Sequence, residues 1–215
     1  MWVKLQEGQL IIGPDGVDDS EALSKLGATH DHHLWLLQRS GESLVFHPCG
    51  EEYGVRQTPI NITSNSPAPL DLVSNFAATP FFLDGLHYAS VEGFWQSLRF
   101  ADQKTRARVA ALARGEAKRV GNETPAPERF DYGGKTVIWG TWAHWQLMRH
   151  ACLAKFKQNE EARAALLSTT GHPLVHKLRR DSRSIPGVIM AEIWMEIRDI
   201  LQETQTSGQA RLEEG

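Results

Sequence analysis

The spacing of apolar residues changes along the chain, and the change divides it in two. Over the first 70 residues, short apolar runs alternate with turn residues: 9–12 ends at Gly13-Pro-Asp-Gly16, while 33–37 and 43–46 flank Arg39-Ser-Gly41 as the two arms of a hairpin. Three prolines among asparagines and serines make 58–70 a surface loop. From Ser90 onward the period becomes helical. Val91, Phe94, Trp95, Leu98 and Ala101 share one side of a helix that Ser90 is placed to cap. The same period predicts helices over 104–114, closed by Gly115, over 141–158, over 160–168 and over 191–203. Pro173 is suited to open a short turn. Past residue 204 the period is lost, so 205–215 reads as a flexible tail. The expectation is an α+β protein, mainly α-helical: a β-containing extension over 1–69 packed as a layer on a helical domain, 70–204.

Composition narrows the classes. With 215 residues, 41% hydrophobic and 23% charged, the chain has the make-up of a globular protein. No apolar run approaches the ~20 residues that span a bilayer, and the first residues lack the apolar stretch of a secretory signal. Cys49 and Cys152 are the only cysteines, which argues against a disulfide framework or a thiolate zinc site. A cytoplasmic protein with no membrane partner is expected.

The charge is unevenly placed. Residues 1–97 carry 4 basic and 12 acidic side chains, residues 98–119 carry 7 and 2, and residues 120–215 carry 12 of each. Such a local positive field suits a phosphate-bearing small ligand better than a long duplex, with a solvated basic helix as the plain alternative.

The helix behind Ser90 holds an internal conflict. Glu92, Gln96, Arg99 and Gln103 recur at helical spacing as a second, polar stripe. A solvated face would explain it, but Gly93 lies inside the helix, where glycine costs about 1 kcal/mol relative to alanine. Close approach by a ligand or by another backbone would account for that glycine, and a carboxylate in such a place is a candidate acid or base. Most of the seven tryptophans belong to the core. Trp139, ahead of Gly140 at a helix entrance, is placed to stack on a base. His30, His32 and His33, and the pair His172 and His176, lack the carboxylate context of a zinc site, so no metal is expected. Phosphate-loop, dinucleotide-fold and nucleophile-elbow motifs are absent from the sequence.

A resemblance emerges from several blocks in order. Ser74-Asn-Phe76, Asp84-Gly85, Ser90-Val-Glu92 and Gln96 through Phe100 resemble the opening of the NADAR (YbiA-like) family. The likeness continues through Ala117 to Gly121, Met148, Lys155-Phe-Lys-Gln-Asn159, Leu166-Leu-Ser-Thr169, Leu174-Val175, Asp181 and Trp194-Met-Glu-Ile-Arg198. It spans residues 70–203. What it implies is a mostly helical N-glycosidase that needs no cofactor and cleaves a ribose C1′–nitrogen bond. Family members act on amino-pyrimidine ribosyl phosphates that are early riboflavin intermediates, or remove ADP-ribose from modified guanine in nucleic acid. The family's essential glutamate falls on Glu92, its essential aspartate on Asp181, and its functional tryptophan on Trp139, with Trp142 as competitor. The implied substrate contacts are Ser74, Asn75, Phe76, Gln96, Arg99, Lys118 and Lys155.

This chain also departs from the family. Val120-Gly-Asn122 stands where Leu-Gly-Arg is usual, so Lys118 or Arg119 would replace the arginine. The Trp-Gly loop after Asp181 is replaced by Ser182 through Gly187. The resemblance therefore implies a ribosyl phosphate or ADP-ribosyl small molecule as partner, with ADP-ribosylated nucleic acid or a catalytically silent ADP-ribose/NAD-binding module as alternatives. Which carboxyl acts as acid is open at this level.

Overall fold

In the computed structural model, backbone and side chains are described over residues 59–178, 182 and 184–204; strands within 2–46 and the helix after 204 are described as backbone alone. The chain forms two compact units.

The first unit contains residues 1–61, 166–179 and 186–215. Strands β1 (Trp2–Gln6) and β2 (Gln9–Gly13) pair antiparallel. Strands β3 (Thr29–Asp31), β4 (Leu34–Arg39) and β5 (Glu42–Phe46) form a three-stranded antiparallel sheet. The hairpin expected around Arg39-Ser-Gly41 is the β4–β5 pair, with Arg39 opposite Glu42. Strand β6 (Ile60–Asn61) pairs in parallel with β11 (Leu174–Val175). The terminal helix, α6 (Gly187–Glu213), packs along β1 and β11 and buries Ile189, Ile193, Trp194, Ile197 and Leu201. It is longer at both ends than the apolar period predicts. Ile189 and Met190 are already buried in its first turn, and a nucleated helix propagates at one hydrogen bond per residue fixed.

The second unit, residues 62–165 and 180–185, carries most of the helices. A hairpin of β7 (Phe81–Leu83) and β8 (Leu86–Tyr88) leads into α1 (Val91–Ser97). Helix α2 (Gln103–Ala110) is capped by Asp102, whose carboxylate accepts from Thr105 N–H at 2.8 Å. Sequence periodicity carried this helix on to residue 114. It ends at Ala110 because the carbonyls beyond turn to other partners: Ala110 O accepts from Ala89 N–H at 2.9 Å, and Leu112 O from the Ser90 hydroxyl at 3.0 Å. Helix α3 (Arg114–Asn122) then begins afresh. The hairpin β9 (Arg129–Tyr132) and β10 (Lys135–Ile138) turns at Gly133-Gly134 and precedes the long helix α4 (Trp142–Gln158). Helix α5 (Glu160–Leu167) follows. Helix α1 is central: α2, α3, α4 and β8 all pack against it, and every one of its seven residues is buried.

Candidate active site

Helix α1 starts where Ser90 Oγ accepts from Gly93 N–H at 2.9 Å. The helix closes at Ser97, so Ala101 and Gln103, expected on its apolar and polar sides, lie beyond it and are exposed, and Arg99 is half-buried. Within the helix the apolar side is present and the polar residues do not face water. Glu92 and Gln96 are only 6% and 4% exposed. Of the two explanations for Gly93, another backbone is the one found: a Cβ there would overlap the Leu112 carbonyl and lie 3.0 Å from that of Ala110.

Glu92 is held at both backbone and side chain. Its N–H donates to Asn75 O at 2.9 Å, and its Oε1 accepts from Gln96 Nε2 at 2.8 Å. Burial pushes its pKa above the ordinary carboxylate range, while the Gln96 hydrogen bond and the Lys118 and Arg99 cations pull the other way. The result is a carboxylate with raised proton affinity inside a positive field, as a general base requires.

The Ser74-Asn-Phe segment acts largely through its backbone. Ser74 O accepts from Lys155 Nζ at 2.8 Å, Asn75 O from Glu92, and Phe76 O from Arg114 N–H at 3.1 Å. The Asn75 side chain meets helix α4, with Nδ2 3.5 Å from Met148 Sδ and Oδ1 3.6 Å from Cys152 Sγ. Lys155 is fully buried and also donates to Val73 O at 3.1 Å. Burial brings its pKa down to about 7. Among the residues expected to meet substrate, Ser74 and Lys155 are thus engaged in holding this loop. Phe76 remains half-buried, with Lys118 Nζ 5.3 Å from its ring centre.

On another side of α1 stands an aromatic cluster. His144 stacks on Trp95, rings 3.8 Å apart and nearly parallel, and lies 4.2 Å from the Trp139 ring. Phe130 meets both Trp139 and His144 edge-on. Arg99 reaches over Trp139, its guanidinium carbon 5.4 Å from the ring centre, and donates to Thr124 O at 2.8 Å. Trp139 therefore shares a neighbourhood with Arg99, whereas Trp142 packs edge-on against Trp145. His144 Nδ1 accepts from Gly140 N–H at 3.0 Å, so in the neutral ring Nε2 carries the proton. Burial, then the Arg99 charge, lowers its pKa to about 3. His144 escaped the sequence reading, although its spacing of four from Met148 places it on the inward side of α4.

Asp181 lies outside the described residues. Close to it in sequence, Ser184 O accepts from the Trp145 indole at 2.8 Å, at the entrance of α4. Of the histidines noted in the sequence, His30, His32 and His33 have side chains outside the described residues, and His176 of the separate His172 and His176 pair meets Trp194 edge-on. Among the described residues no helix is long and apolar enough to cross a membrane.

Comparison with known proteins gives a consistent set. Residues 69–199 match the family model described as Bacteriophage protein GP30.3. N-glycosidase YbiA of Escherichia coli (strain K12) is 32% identical over 132 residues, covering 61% of this chain and 77% of that protein. A 17.1 kDa protein of the Gp30-rIII intergenic region of Enterobacteria phage T4 is 23% identical over 154 residues, 67% of this chain and 97% of its own length. The NMR structure of E. coli YbiA superposes with a TM-score of 0.54 at 28% identity, covering 71% of this chain and 89% of YbiA. The YbiA-like α+β fold expected from the sequence is the one observed.

Proposed function

The chain belongs to the Bacteriophage protein GP30.3 family, and from that membership and its similarity to N-glycosidase YbiA we propose that it hydrolyses a ribose C1′–nitrogen bond in a ribosyl phosphate or ADP-ribosyl substrate. The observation that carries the reading is Glu92: a buried carboxylate, hydrogen-bonded by Gln96 and placed in the field of Lys118 and Arg99.

The chemistry follows from the bond to be broken. As the C1′–N bond lengthens, its electron pair leaves with nitrogen and positive charge develops on the ribose. The Glu92 carboxylate stabilises that charge and takes a proton from the attacking water, whose oxygen bonds to C1′; the leaving nitrogen takes up a proton from solvent and Glu92 returns its own to solvent, so that one water is consumed. Lys118 and Arg99 offer positive charge to a phosphate. Trp139 and Phe76 supply aromatic faces for the base. Asp181 is assigned to the ribose hydroxyls or the nucleophilic water. Support for that assignment is its place in the family pattern.

The test offers the purified protein an amino-pyrimidine ribosyl phosphate, ADP-ribosylated guanine DNA and NAD in parallel, and measures released base or ADP-ribose. Release from one of them is expected, and it identifies the substrate. Glu92→Gln keeps the shape and removes the charge, so kcat should fall by at least ~100-fold with substrate affinity nearly unchanged. Absence of release from all three, or full activity in Glu92→Gln, overturns the proposal.

A further inference from the structure

The side of Gln96 that does not face Glu92 rests on glycine. A Cβ on Gly121 of α3 would lie 2.6 Å from Gln96 Cδ and overlap its Oε1 outright. That Oε1 is buried and accepts no hydrogen bond among the described residues. A buried amide with one unpaired oxygen is costly, about 1–3 kcal/mol, so its placement calls for a compensating gain. The gain is on its nitrogen side: Nε2 donates to Glu92 Oε1 at 2.8 Å. Glu92 Oε2 accepts no hydrogen bond among the described residues. The two carboxylate oxygens are thereby made unequal.

We propose that Gln96 is a positioning residue for Glu92, seated by the missing side chain of Gly121, and that it anchors Oε1 so that Oε2 is the oxygen presented to substrate. Its catalytic meaning rests on the glycosidase reading above; the geometry does not. An N–H donated to the charged carboxylate favours ionisation, so Gln96 keeps Glu92 available as a base against the burial that would protonate it. The charges acting on Glu92 come from Lys118 on α3 and from Arg99, two residues past the end of α1. Among the described residues, α2, α4 and β8, which also pack on α1, contribute none.

This assigns Gln96 to Glu92 where the family resemblance implied a substrate contact. It also gives Gly121 a task beyond helix packing. An alanine at 121 would leave the Gln96 amide no room in its present seat and so disrupt its hydrogen bond to Glu92, while changing no titratable side chain.

The test is a carbon-13 NMR titration of the Glu92 carboxyl, identified by its absence in Glu92→Gln, in the native protein, Gln96→Met, Gly121→Ala and the double variant. Gln96→Met should raise the Glu92 midpoint, and Gly121→Ala should move it the same way. The double variant should go no further than Gln96→Met alone, because both act through one amide. In turnover, the acidic limb of kcat should follow the midpoint upward, with KM changed less than twofold. Gln96→Met keeps nearly the same volume, so the proposal can be judged even where Gly121→Ala does not fold. An unmoved midpoint in Gln96→Met, or additive shifts in the double variant, overturns it. The titration reads Glu92 whether or not the enzyme turns over; full activity of Glu92→Gln would instead remove the reaction and leave the Gln96–Glu92 coupling to stand or fall on its own data.

Discussion

Single residues in this protein often carry two duties, and His144 is the plainest case. It completes the stack on Trp95 and satisfies the backbone N–H of Gly140. It is held unprotonated to about pH 3, whereas the unfolded chain binds a proton near 6.5. Its folded pKa is depressed, so the stability it provides is complete above 6.5 and is lost as pH falls toward 3. Between pH 7 and pH 5 the loss is about 2 kcal/mol. His144→Phe should be less stable at neutral pH, because Gly140 N–H loses its acceptor, yet fall less steeply between pH 7 and 5. Urea unfolding of both proteins at the two pH values checks this, and parallel slopes would refute it. The residue was readable in principle: a polar side chain at core-facing spacing on α4, like Lys155, marks a buried group with a specific partner. What sequence does not convey is that partner, here a backbone amide and a stacked indole.

Among elements, α1 was the most legible and α3 the least. Val91, Phe94, Trp95 and Leu98 at helical spacing, behind a serine cap, leave little choice. Arg114–Asn122 holds two glycines and only Ala117 and Gly121 buried, so no apolar period announces it. Gly115, read as a stop signal, lies within its first turn. The β9–β10 hairpin also passed unread, although Tyr132-Gly-Gly-Lys135 is a recognisable two-residue connection. Its strands are short and half polar. The junction of α1 with the end of α2 yields a prediction. Gly93→Ala gains helix propensity of about 1 kcal/mol, but its methyl group would strike the Leu112 carbonyl, which is fixed by Ser90. Overpacking costs about 1–3 kcal/mol, so the variant should be net destabilised in a denaturant melt. Ser90→Ala should lose about 1 kcal/mol as a cap. A Gly93→Ala protein more stable than the native one would show that the backbone can yield.

At the scale of the molecule, charge and the Ser74–Phe76 segment matter most. The basic stretch noted in the sequence supplies Arg99 and Lys118, both acting on Glu92, while its other cations have no part in that site among the described contacts. For an anionic substrate, KM should rise roughly two- to fivefold between ~0.05 and ~0.5 M salt as screening shortens. It should rise less in Lys118→Met. Steady-state kinetics at fixed pH decides this, and a salt-independent KM would count against Lys118 as a phosphate contact. The carboxylate Glu92 could be picked out from spacing and resemblance. Its seat could not, because Asn75, Gly121 and Gln96 meet only through tertiary packing.

One consequence follows from the three successive carbonyls of Ser74, Asn75 and Phe76, each of which answers to a different helix. Their phase along the chain is what keeps α4, α1 and α3 in step. A residue inserted between Val73 and Ala77 would put all three contacts out of register at a stroke, whereas the same insertion at Gly133-Gly134 would only lengthen a turn. Evolution and engineering alike should find this tripeptide intolerant of altered length.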